Sequence, residues 1–251
     1  MMVREDSGST AVIRMTHGKV SAIDLELCGA LIDEFNRVAS STAKALVLTG
    51  TGSTFSAGVD LFRVLKGRAE YLTRFLPAME TLFRTLLTFP KPAVAAVNGH
   101  AIAGGCILAA ACDHRVMADG TGRIGVPELA VGVPFPPLPL EIVGARLNPS
   151  VFRDVVYTAR VVQAREALAL GFIDEIAESP DLIDRAHAAA ARLVRIPATT
   201  FALTKRTLTA PLLERVKAAA PINAEVIEAW QSDAVLNRMQ AYVDETVGKS
   251  R

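Results

Sequence analysis

Phe55-Ser56-Ala57-Gly58-Val59-Asp60-Leu61 and, further along the chain, Asn98-Gly99-His100-Ala101-Ile102-Ala103-Gly104-Gly105-Cys106 are the stretches on which the fold turns. Short apolar runs that suit strands, Ala45 to Thr49 and Ala93 to Val97, lead into the glycines, and helix-like sequence follows each stretch. Glycine permits positive φ and lets a ligand come close to the backbone. N–H groups at a helix start have no intrahelical acceptor and lie at the positive end of its dipole. Two such turns facing one another suit a developing oxyanion. Alone, either also reads as a structural turn. Gly52 to Gly58 has the wrong spacing for a nucleotide phosphate loop, Val59 stands where that loop needs its lysine, and neither stretch contains G-x-G-x-x-G.

Outward from these motifs, Thr10 to Met15 predicts a strand, with a turn at His17-Gly18-Lys19. Asp24 is placed to N-cap a helix whose Leu27, Leu31, Phe35 and Val38 share one face. A second helix, apolar along Met79, Leu82, Phe83, Leu86 and Leu87, runs into Pro90-Lys91-Pro92. Gly104 to Cys112 is apolar on every side, the mark of a helix buried all round. The second half is more helical. Gln163 to Leu170 ends at a C-cap glycine, Gly171, and Leu182 to Arg195 is stopped by Pro197. Leu212 to Thr246 is helical with breaks near Pro221 and Ser232.

The chain has 251 residues, 27 Lys+Arg against 26 Asp+Glu and a formal net charge of +1. Its length fits one large domain, and its charge makes no case for nucleic acid or an anionic membrane as the main partner. Cys28, Cys106 and Cys112 lack metal-ligand spacing and sit in apolar contexts, which predicts buried free thiols. The four histidines are scattered, so no metal is expected. The N-terminal MMVREDSGST has no apolar signal core, the terminal Gly-Lys-Ser-Arg matches no address tail, and Ile102 to Cys112 is too short to span a bilayer. Cytoplasm is the location expected by elimination.

Taken together, the two glycine stretches resemble the paired signature of the crotonase (enoyl-CoA hydratase/isomerase) superfamily. Ala111-Cys-Asp-His-Arg-Val-Met-Ala-Asp119 and Gln163-Ala-Arg-Glu-Ala-Leu-Ala-Leu-Gly171-Phe-Ile-Asp-Glu-Ile176 resemble later segments of that family, in its order and spacing. The resemblance implies an α/β crotonase (ClpP/crotonase-like) fold. A spiral of ββα units would occupy 1–175 and a helical trimerisation region 176–251. It also implies a homotrimer or dimer of trimers, an acyl-CoA thioester substrate and no separate cofactor, since CoA arrives with the substrate. Carried over by position, the main-chain N–H groups of Val59 and Gly104 form the oxyanion hole for the thioester. Ser21, Ala22, Ser56, Ala57, Gly58, Asp60, Leu61, Gly105 and Ile107 line the CoA or acyl moiety. For Asp60 a loop-fixing role is the favoured reading.

The family's hydratases add water with two glutamates. The first would stand three residues after Gly104, where this chain has Ile107; the second matches Glu128 in Gly125-Val-Pro-Glu-Leu129. Apolar neighbours would raise the pKa of Glu128 and suit it to proton transfer near neutral pH. One carboxylate can take a proton from C2 of a 3-enoyl thioester and return it at C4, as single-glutamate isomerases of the family do. Val133-Pro-Phe-Pro-Pro-Leu-Pro-Leu140 replaces the glycine-rich stretch common in hydratases with an apolar, stiff wall. The expectation is therefore a Δ3–Δ2 enoyl-CoA isomerase of fatty acid metabolism. The alternatives are a hydratase or other family lyase using a carboxylate such as Asp60 or Glu141, and a non-catalytic acyl-CoA-binding protein. Tyr242 matches an aromatic that the family places near the CoA, the phosphate contacts stay unassigned, and Trp230 reads as core or interface packing.

Overall fold

The structure, a computed structural model, describes residues 1–246. The terminal Gly-Lys-Ser-Arg and the end of the 176–251 region lie outside the described residues.

The chain opens with an antiparallel pair, β1 (Met2–Ser7) and β2 (Thr10–Met15), and then α1 (Leu25–Ser40). Asp24 caps α1, its Oδ1 accepting from Leu27 N at 2.8 Å, as its position predicts. A pattern of strand, short strand and helix follows. β3 (Ala45–Thr49), β4 (Thr54–Ser56) and α2 (Leu61–Leu87) are followed by β5 (Ala93–Val97), β6 (His100–Ile102) and α3 (Gly104–Ala111). A third round is β7 (His114–Ala118), β8 (Arg123–Gly125) and α4 (Glu128–Val131). Then come α5 (Pro137–Gly144), α6 (Phe152–Tyr157), β9 (Val161–Gln163), α7 (Ala164–Leu170) and β10 (Glu175–Ala177). The chain finishes in α8 (Leu182–Val194), α9 (Ala198–Ala218), α10 (Ala220–Gln231) and α11 (Asp233–Thr246).

Two sheets result. Six strands run in the order β1-β2-β3-β5-β7-β10 and four in the order β4-β6-β8-β9. From β2 to β10 every pairing in the larger sheet is parallel, so each connection is a crossover: through α1 from β2 to β3, and through a short strand and helix or helices from β3 onward. Side chains alternate across the sheet. Val12, Val47, Val94, Ala96 and Val116 face α8, while Ile13, Leu46, Leu48, Val97 and Met117 face the main core under α1, α2 and α3. This is the expected spiral of ββα units.

The breaks of the C-terminal helices fall at Ala219 and Ser232, as the sequence predicts, but α9 begins directly after Pro197 and continues through Pro211. The division at 175/176 cuts β10, and α8 packs on β3, β5 and β7, so the helical portion separates from the sheet only from α9 onward. α10 and α11 then fold back onto α2 of the same chain, and α11 also reaches α4. No helix of the described residues is long and apolar enough to cross a membrane.

Candidate active site

The two glycine turns meet. Asn98 binds them together: its Oδ1 accepts from Gly50 N at 2.9 Å, and its Nδ2 donates to Gly52 O at 2.9 Å and Thr54 O at 3.2 Å. Gly58 holds φ +82°, and a Cβ there would stand 2.5 Å from Ile102 O and 3.1 Å from Gly104 N. Only glycine permits that approach, so the backbone after β4 lies against the start of α3. Val59 forms a parallel bridge with Ile23, in which Ile23 N donates to Gly58 O and Asp60 N to Ile23 O. That bridge leaves the Val59 N–H outside the pairing, and Gly104 N–H is free because it opens a helix. Among the described residues neither N–H has an acceptor. Ala103, just before Gly104, holds φ 50°, ψ −120°, a strained conformation for an L-residue that turns the chain into α3.

Both amides line one cleft together with Glu128, and the cleft encloses about 640 Å³, its open mouth included. Glu128 is the first residue of α4, held behind Pro127. Its side chain is buried, and its Oε2 has no hydrogen-bond partner among the described residues. Burial pushes its pKa from an ordinary 4.5 up to about 8, because the charged form loses its water without gaining a cation. Ile107, one turn into α3, is buried in the same wall. Glu128 is the only carboxyl lining the cleft among the described residues.

The remaining walls are apolar. Val133, Phe135, Pro136 and Pro139 form one side, as the Val133–Leu140 stretch predicts. Met79 and Phe83 of α2 form another; sequence marks them as an apolar helix face but cannot separate a core face from a cleft face. Trp230, expected as packing, also lines the cleft, and its Nε1 donates to Pro134 O at 2.9 Å, which anchors the proline-rich wall to α10. Tyr242 of α11 lines the cleft as well.

A second recess of about 1310 Å³ adjoins the cleft and shares Ala57, Val59, Leu61 and Tyr242 with it. Ala22 and Asp60 line this recess, with His17, Lys19 and Arg63 beside them. The other residues carried over sit behind the surface. Ser56 is fully buried: its Oγ donates to Ser21 O at 2.7 Å and accepts from Gly58 N at 3.2 Å, which ties the Ser21 segment to the first glycine turn. A Cβ on Gly105 would stand 2.3 Å from Ser56 O, so Gly105 is a close-packing glycine. Ser21, Ser56, Gly58 and Gly105 therefore shape the site from behind and line neither cavity. Asp60 N-caps α2 by accepting from Arg63 N at 3.0 Å, the loop-fixing role. Glu141 is paired with Arg215 at 2.7 Å, so neither carboxylate considered as a second acid for hydration reaches the cleft.

The sequence matches the family described as enoyl-CoA hydratase/isomerase over residues 5–247. A short-chain-enoyl-CoA hydratase of Clostridium acetobutylicum is 25% identical over 249 residues, covering 97% of this chain and 94% of that one. An apo enoyl-CoA isomerase structure from Mycobacterium tuberculosis is 33% identical, with a TM-score of 0.81, over 92% of this chain and 98% of that one. The human mitochondrial Δ3-Δ2-enoyl-CoA isomerase, at 21% identity, superposes with a TM-score of 0.95 over 100% of this chain and 99% of the other, a likeness of fold.

Proposed function

The chain belongs to the enoyl-CoA hydratase/isomerase family, and we propose that within it this protein moves a double bond from C3 to C2 of an enoyl-CoA. The observation that carries the reading is a cleft with a single carboxyl among the described residues, Glu128, and a buried Ile107 in the wall where a second would stand. Glu128 as carboxylate takes a proton from C2 of the 3-enoyl thioester, and the electron pair moves into the dienolate. The charge on the thioester oxygen is held by the N–H groups of Val59 and Gly104, each such donor being worth about 3 kcal/mol in a transition state. The protonated Glu128 then returns its proton to C4, which leaves the conjugated 2-enoyl thioester. No water is consumed, in keeping with the apolar walls.

The adjoining recess suits the CoA moiety. Lys19 lines it and offers positive charge for a phosphate, whereas Arg63 is already paired with Glu26 at 3.0 Å and Asp24 at 3.6 Å. Ala57 and Leu61 are shared with the cleft that would hold the thioester. Three free, buried thiols fit a reducing, cytoplasmic location. Assembly as a trimer or dimer of trimers belongs to the same reading, and the exposed Leu203, Leu208 and Ile222 of α9 and α10 are candidates for contact with another copy.

Hydratase names outnumber isomerase names among the relatives, which favours hydration as the second reading. Incubation with matched 2-enoyl- and 3-enoyl-CoA panels separates the two. Isomerisation yields a 2-enoyl product of unchanged mass. A product heavier by one water, formed from a 2-enoyl-CoA at a comparable rate, would replace the isomerase reading with the hydratase one.

A further inference from the structure

The active-site cleft does not end at its apolar wall. A second chamber, of about 430 Å³ with its mouth included, lies between α2, α5 and α10, and the two chambers have Met79, Pro136 and Pro139 in common. These three residues therefore stand between the cleft and a chamber walled by Leu76, Val226 and Ile227. Glu80 and Asn223 are the polar residues lining this chamber, and Glu80 is paired with Arg84 at 2.6 Å.

The partition is chemically suited to yield to an alkyl chain. The two prolines have no N–H, so they add no buried donor that a hydrocarbon would leave unsatisfied. Met79 is unbranched and 4% exposed, and its thioether can take several rotamers with little loss of packing. A Leu or Phe there would be a stiffer stop.

Resting on the acyl-CoA reading above, we propose that the two chambers are one acyl channel gated by Met79, and that the substrate is an unbranched enoyl-CoA whose tail runs past Met79 into the chamber under α10. Thioesters with short tails end in the inner cleft. Longer ones continue between α2 and α5 and bury further methylenes against Leu76, Val226 and Ile227. Affinity then rises by about two- to fourfold per added methylene until the tail fills the chamber.

The test measures dissociation constants of hexanoyl-, decanoyl- and tetradecanoyl-CoA by calorimetry, and kcat/KM on the corresponding 3-enoyl-CoAs, for wild type, Met79→Ala and Met79→Trp. The quantity compared is the long-to-short ratio within each protein, which cancels any general loss from the substitution. Met79→Trp is expected to lower the tetradecanoyl-to-hexanoyl affinity ratio at least tenfold, and Met79→Ala to raise it. An equal ratio in all three proteins, or a wild type that binds hexanoyl-CoA as tightly as tetradecanoyl-CoA, overturns the channel. Because the affinities need only thioester binding, a wild type with no isomerase turnover but a Met79-dependent ratio would overturn the reaction assigned to Glu128 and leave the channel standing. Turnover with an invariant ratio would do the reverse.

Discussion

A buried carboxyl oxygen without a hydrogen-bond partner costs free energy that the rest of the fold must offset, and Glu128 keeps one. Its place at the start of α4 explains how this is sustained, since Pro127 and the helix hold the side chain toward the cleft while apolar neighbours exclude water. Glu128→Gln removes the base and is expected to lower isomerisation by about 10²–10⁴-fold, read from steady-state turnover of a 3-enoyl-CoA. The proton transfer needs the carboxylate, so kcat/KM should fall as pH drops below about 8. A flat profile from pH 6 to 9 would remove Glu128 as the base. The same shift affects stability. The folded state keeps a proton that the unfolded chain releases above about 4.5, so this contribution is whole below that pH and drains away until pH passes about 8. At neutral pH the loss is on the order of 3 kcal/mol, and Glu128→Gln escapes it. The Tm advantage of that variant over wild type should widen from pH 5 to pH 8.

At the scale of elements, the site depends on where β4 and β6 end relative to one another. They are three-residue strands whose own pairing is weak, and Asn98 supplies the extra fastening by bonding to three backbone groups of the first turn. Asn98→Ala should lower stability by about 2 kcal/mol and lower kcat, because the Val59 amide is placed by that loop. Chemical denaturation and kinetics on one preparation check both parts. Trp230 plays the corresponding part for the proline-rich wall. Trp230→Phe deletes the bond to Pro134 O, and a destabilisation of about 1 kcal/mol is expected by the same denaturation measurement.

At the scale of the whole molecule, the cleft is closed by the chain's own C-terminal helices. Trp230 and Tyr242 come from α10 and α11, which pack on α2 and α4. Leu203 and Leu208 of α9 and Ile222 of α10 are exposed apolar side chains, at 53%, 75% and 60% exposure, and line neither the cleft nor the adjoining recess. Leu208→Glu is expected to reduce the assembly size seen by light scattering while acyl-CoA binding persists, because Leu208 lines neither the cleft nor the adjoining recess. Loss of binding on dissociation would mean that a neighbouring copy completes the site.

Local patterns carried much of this. The apolar runs Ala45–Thr49 and Ala93–Val97, the glycines that follow them, the all-round apolar helix and the carboxyl after Pro127 are legible because each is stated by residues near one another in the chain. Three-residue strands such as β4 and β8 are not legible, since so short a run is a strand only by virtue of its partner. β1 was hidden for a related reason: it is a largely exposed edge strand, so its polar residues show no buried alternation. The role of Asn98 was equally hidden, because an Asn before a Gly reads as an ordinary turn until the groups it reaches are known. Only folding decided that Met79, Phe83 and Trp230, from two separate helices, would wall one cavity. Long-range packing alone determines whether an apolar helix face becomes core or a ligand's wall.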